Sequence, residues 1–102
     1  MAPRPNILLV VFDSLSAQYL NDLTEKLPTL SKLKAESISF ENAFACSPES
    51  GPARASLFTG LDMAAHGVWT DGVTLPLRET TMPEVFQRNG YETWLVLSLI
   101  HI

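Results

Sequence analysis

Ile7-Leu-Leu-Val-Val-Phe12 is an unbroken apolar run of six β-prone residues, and no polar face alternates along it. Such a run, taken from Asn6 to Phe12, predicts a strand buried on both faces, as in a parallel sheet covered by helices. It stops abruptly at Asp13-Ser14. A carboxylate therefore sits at the carboxyl end of the expected strand, where open α/β sheets place their ligands. The run is far shorter than the roughly 20 residues needed to span a bilayer. It stands too early for a secretory signal, and no small-residue cleavage site follows it. The expectations are no membrane partner and, if Met1 is the true start, a cytoplasmic location.

The rest of the chain alternates helix and strand signals. Pro28 fits the first turn of a helix running to about Glu36, with Leu27, Leu30 and Leu33 at i, i+3 spacing. Ser37 to Phe44 predicts a second strand, and Ala45 to Pro52 is a loop by composition. Ala53 to Phe58 predicts a short helix stopped at Thr59-Gly60. Residues 61 to 80 show no clean period and read as surface turns. Thr81-Met-Pro-Glu84 is a capping box and Gly90 a stop, so a helix is expected over 82–89. Thr93 to Leu97 predicts a third buried strand. The alternation defines the class as α/β.

Composition narrows the functions. The 102 residues are 46% hydrophobic and only 18% charged, with a net charge of −4. That excludes a disordered tail or a basic nucleic-acid arm, and no nucleic-acid partner is expected. So apolar a chain reads as a slice of a larger core. The single cysteine, Cys46, excludes an internal disulfide framework and any multi-cysteine zinc site.

Three residues can carry chemistry. Ser50, just ahead of the helix expected from Ala53, lies in a positive field with free backbone N–H groups, which suits a tetrahedral oxyanion. Arg54 can reach back with a planar fork of donors to hold the nucleophile or an anionic substrate. Asp13 can give a hard oxygen ligand to a divalent cation. Each has a plainer reading: Asp13 as a turn or cap residue, Ser50 as a loop serine, Arg54 as a solvated helix arginine. His66, among Ala64, Ala65 and Gly67, reads as structural or as a support behind the site. Cys46 reads as a small buried packing residue, and Trp69, Trp94 and Phe86 as core or pocket wall.

The run Arg4-Pro-Asn-Ile-Leu-Leu-Val-Val-Phe-Asp13 resembles the opening strand of the sulfatase family, within the alkaline-phosphatase-like superfamily. Leu27 to Glu36 and Phe40-Glu-Asn-Ala-Phe44 are similar to its next helix and strand. Ser50-Gly-Pro-Ala-Arg54-Ala-Ser-Leu-Phe-Thr-Gly60 resembles its signature: Cys or Ser, any residue, Pro, any residue, Arg, then a Thr-Gly stop. Ala65-His-Gly-Val68 and Gly90-Tyr-Glu-Thr93 follow in the family's order, so the resemblance covers roughly residues 4 to 96. Cys46-Ser-Pro-Glu-Ser50 also begins like the cysteine form, but its fifth position is Ser50 where the family has arginine. The frame set by Arg54 places the nucleophile at Ser50.

The resemblance implies the N-terminal portion of an alkaline-phosphatase-like fold, with a mostly parallel central sheet flanked by helices. It divides the chain into residues 1–96, an N-terminal fragment of a sulfatase catalytic domain, and 97–102, a tail outside the family pattern that reads as an artefact of truncation. It implies a sulfuric ester hydrolase whose Ser50 is oxidised to formylglycine by a maturation enzyme. The aldehyde hydrate attacks sulfur, and its second hydroxyl expels sulfate. It further implies a Ca2+-type cation held by Asp13 and Ser50, stabilisation by Arg54, and a sulfate ester of a small molecule or glycan as substrate. Two departures stand out. The family often has paired aspartates where this chain has Asp13-Ser14, and no lysine follows the third strand, His101 being out of register. Alternatives are a phosphonate or phosphate ester hydrolase on the same scaffold, or a non-catalytic member that keeps the fold. The fragment alone is expected to be inactive.

Overall fold

A computed structural model describes residues 3–97. It contains α1 (Ala17–Lys26), α2 (Pro28–Glu36), α3 (Ser50–Thr59), α4 (Met63–His66) and α5 (Met82–Arg88). The chain divides into two compact units between Ala43 and Phe44.

The first unit is built on an α-helical hairpin. Ser16 caps α1, its Oγ accepting the Tyr19 N–H at 3.3 Å. Leu27 ends α1 by donating to the Leu23 carbonyl at 2.9 Å, and its own carbonyl starts α2 by accepting the Ser31 N–H at 3.0 Å. Pro28 at the first position of α2 supplies a preset φ and needs no hydrogen-bond acceptor. The Ser31 hydroxyl, donating to the Thr24 carbonyl, clips the two helices together. α2 matches the expected helix, whereas α1 was not anticipated. Its signals were the Ser16 cap and leucines at 20, 23 and 27, diluted by the polar Asn21, Asp22 and Thr24.

The second unit folds around α3. Gly60 closes that helix in the left-handed conformation, φ 70°, with its N–H on the Ser56 carbonyl at 2.8 Å. Asp62 caps α4 by accepting the Ala65 N–H at 2.8 Å, and Gly67, φ 75°, ends it. α4 therefore turns back onto α3 and corrects the reading of residues 61–80 as turns alone. α5 carries the expected capping box: Glu84 Oε2 accepts the Thr81 N–H at 2.6 Å and the Thr81 hydroxyl at 2.9 Å. Those two bonds, the backbone one first, hold the Glu84 carboxyl below its usual range. Phe86 meets Tyr91 edge to face, ring centres 5.1 Å apart. The buried centre is small: Ser47, Pro52, Ala55, His66 and Val68.

No β-strand occurs among the described residues. The expected strands at Asn6–Phe12, Ser37–Phe44 and Thr93–Leu97 lie outside the helices and form no ladder. Nor is the apolar run buried on two faces: Ile7 to Phe12 are between 50% and 88% exposed. A helix satisfies its own backbone, but a strand exists only where a neighbour supplies N–H and C=O partners, and the described residues supply none. Trp69 and Trp94, expected as core or pocket wall, are exposed, and so is Cys46. The tail assigned to 97–102 falls, from Ser98 onward, outside the described residues.

So much exposed apolar surface around so small a core gives a direct prediction. Residues 1–102 expressed alone will self-associate and unfold without a cooperative transition. Light scattering and a thermal scan check this; a monomer with a sharp melt would show the unit to be self-sufficient.

Candidate active site

Ser50 is the first residue of α3, with Glu49 at the cap position, so the helix begins three residues earlier than Ala53. Arg54 follows one turn later on the same face, at the i, i+4 spacing that brings side chains together. Both are half-buried. Asp13 belongs to the first unit. It follows the apolar run and opens a turn in which Ser14 takes a left-handed φ of 57°, uncommon for a residue with a side chain. Among the described residues no three of His, Cys, Asp and Glu converge as a metal site.

The N-terminus of α3 differs from the bare cluster of N–H groups expected there. Asp71 Oδ1 accepts the Gly51 N–H at 2.6 Å. Pro52 has no N–H, and the Ala53 N–H closes onto the Glu49 carbonyl at 3.2 Å. The positive end of the helix is thus met by a carboxylate from the chain itself.

Glu49 does not cap α3 with its own side chain. Its Oε2 accepts the Thr70 hydroxyl and the Asp71 N–H, each at 2.8 Å. These bonds, the hydroxyl first, hold the Glu49 carboxyl below the ordinary carboxylate range. The Glu49 N–H in turn reaches the buried Ser47 Oγ at 3.1 Å. Thr70 and Asp71 were absent from the sequence reading, and Asp71-Gly72 carries only a turn signal.

His66 is fully buried. Its Nδ1 accepts the Val68 N–H at 3.0 Å, so the ring proton sits on Nε2 and is donated to Ser56 Oγ, 2.8 Å away. In that tautomer His66 cannot take a proton from Ser56, and the pair is a structural clasp between α4 and α3. Cys46 Sγ lies 3.8 Å from the Pro52 carbonyl, at hydrogen-bond range for a thiol.

The sulfatase family model matches residues 5–98, and the chain belongs to the sulfatase family. It is 37% identical over 93 residues to the uncharacterized sulfatase YidJ of Escherichia coli, covering 88% of this chain and 19% of that protein. It is 34% identical to an ulvan-active sulfatase of Formosa agariphila (88% and 18%) and 36% identical to arylsulfatase K of Bos taurus (87% and 17%). The chain thus spans about a fifth of the length of these relatives. No solved structure matches it. The family carries an alkaline-phosphatase-like α/β fold and sulfatase chemistry in general. No helix among the described residues is long and apolar enough to cross a membrane.

The clasp is testable in the intact protein. His66→Ala leaves a cavity and strands the Val68 N–H and Ser56 Oγ, at a cost of about 2–4 kcal/mol. His66→Gln retains a donor toward Ser56 and will cost less. Denaturant unfolding measures both; equal and negligible losses would remove His66 from the framework.

Proposed function

We propose that this segment carries the nucleophile and the anion-holding arm of a sulfuric ester hydrolase in which Ser50 is matured to formylglycine. The observation that carries the reading is Ser50-Gly51-Pro52-Ala53-Arg54 on the first turn of α3, inside the family match. A serine attacking sulfur directly would end as a stable ester; the hydrated aldehyde supplies a second hydroxyl through which sulfate leaves. Arg54 presents its planar fork toward the anionic group from the same helix face. In this reading its guanidinium engages the anionic group of the substrate.

A Ca2+-type cation is part of the proposal. Asp13 is a hard oxygen donor of the kind such an ion takes, and Ser50 would add a second oxygen. Two donors fit in kind and fall short of the about 6–8 that calcium takes, so the others come from elsewhere in the full-length protein. When bound, the ion offsets sulfate charge. In this reading residues 1–96 are the N-terminal part of the catalytic domain, and the three apolar segments become strands of a mostly parallel sheet. The partners are a maturation enzyme acting on Ser50 and a sulfate ester of a small molecule or glycan. The names of the ulvan-active and aryl-sulfatase relatives support that substrate class.

Peptide mapping of the full-length protein, produced with a maturation enzyme, will find the aldehyde at Ser50 and an intact thiol at Cys46. Both lie in the tryptic peptide ending at Arg54, and fragmentation separates them. An aldehyde at Cys46 beside an unmodified Ser50 would sink the assignment.

Arg54→Lys keeps the charge and loses the fork. Removing one preorganised donor of this kind costs on the order of 2.7–4 kcal/mol of transition-state stabilisation. Turnover of 4-nitrophenyl sulfate will fall accordingly while the melting temperature changes little. Parallel rates on 4-nitrophenyl phosphate identify a phosphate ester hydrolase if they exceed the sulfate rates. Near-normal turnover in the variant would return Arg54 to a solvated helix residue.

A further inference from the structure

We propose that Glu49 and Asp71 are positioning residues for Ser50, acting as a reciprocal clamp between the segment that carries it and the Thr70–Asp71 turn. The proposal rests on the reading of Ser50 as the matured nucleophile. Each carboxylate belongs to one segment and binds the backbone of the other. Asp71 Oδ1 accepts the Gly51 N–H at 2.6 Å, and Glu49 Oε2 accepts the Asp71 N–H at 2.8 Å. Glu49 Oε2 also accepts the Thr70 hydroxyl at 2.8 Å, which holds the Asp71 side of the clamp.

The bonds span 20 to 22 positions in the chain, so they are tertiary and not part of a local helix cap. Their effect converges on one residue. The peptide before Ser50 is held through Glu49, whose own N–H is anchored on Ser47 Oγ at 3.1 Å. The N–H after Ser50 is held through Gly51. The Ser50 side chain takes no part in these clamp bonds, while the backbone that aims it is tied on both sides. A nucleophile displaced by about 1 Å loses on the order of a hundredfold in rate, so fixing this backbone has catalytic value.

Glycine at 51 belongs to the same device. A Cβ there would stand 2.8 Å from Asp71 Oδ1 and 3.4 Å from the Asp71 Cα. Gly51→Ala therefore pushes the carboxylate off its N–H while leaving every charge in place. That provides a second route to the same lesion.

The experiment uses the full-length protein and two readouts: aldehyde content at Ser50 by mass spectrometry, and kcat and KM for 4-nitrophenyl sulfate per aldehyde-bearing chain. Asp71→Ala and Gly51→Ala are expected to lower kcat about 10- to 100-fold, with KM changed by less than about threefold. Asp71→Asn, whose amide oxygen still accepts the Gly51 N–H, is expected to restore kcat to within about threefold of the parent. Glu49→Ala combined with Asp71→Ala will lose no more than Asp71→Ala alone, because the two act as one unit. Should Asp71→Ala fail to fold, the Asn and Gly51→Ala variants decide the matter. Parental kcat in Gly51→Ala, or Asp71→Asn impaired as severely as Asp71→Ala, overturns the clamp alone. A parent protein with neither aldehyde nor turnover overturns the Ser50 reading, and the clamp's catalytic role with it.

Discussion

The second unit depends on the burial of one imidazole. His66 has no exposed surface, and a polar ring so placed is tolerated only when both nitrogens are matched. Its partners, Ser56 Oγ and the Val68 N–H, lie on α3 and on the segment leaving α4. The ring can be buried only when both are in place. Val68 is itself buried, and two and three positions later Thr70 and Asp71 meet Glu49 and Gly51. The placement of Asp71 at the start of α3 is thus a consequence of how the turn after α4 is anchored.

That placement changes the electrostatics of the candidate site. An uncapped helix start is a ready anion site, because its N–H groups and its dipole both favour negative charge. Here Asp71 has taken the Gly51 N–H, and Pro52 has none to offer. The start of α3 is therefore already matched by a carboxylate of the chain itself. In the proposed function the anion is held by Arg54, whose fork would fix an orientation as well as a charge. In the proposed function a cation held by Asp13 would likewise offset the charge of an anionic substrate.

The elements that sequence reasoning located are those whose instructions are local. Pro28 at the start of α2, Gly60 at the end of α3 and the Thr81–Glu84 box on α5 each act within one helical turn, and each is found where expected. α4 escaped because four residues hold no periodicity, though Asp62 and Gly67 mark both its ends. The Ser50 to Arg54 frame was legible because spacing along one helix survives without knowledge of the fold. The Asp71 contact was not, because nothing in an Asp-Gly turn announces an acceptor for a backbone group 20 positions earlier.

The strands fail for the complementary reason. Asn6–Phe12 and Thr93–Leu97 have the composition of buried strands, but composition specifies only what a segment needs around it. Hydrogen-bond partners and helices over both faces must come from elsewhere in a fold, at long sequence separation. Ile7 to Phe12 remain exposed here, as do Trp94 to Leu97, so the need is visible and unmet among the described residues. The relatives are about five times as long as this chain, which is where a family with a central sheet would keep those partners. The helical second unit already brings Ser50 and Arg54 to one face. Asp13 follows the apolar run and lies in no helix. The spacing of Ser50 and Arg54 is set by one helix, whereas the setting of Asp13, the proposed metal ligand, depends on the long-range structure that would order the strand before it.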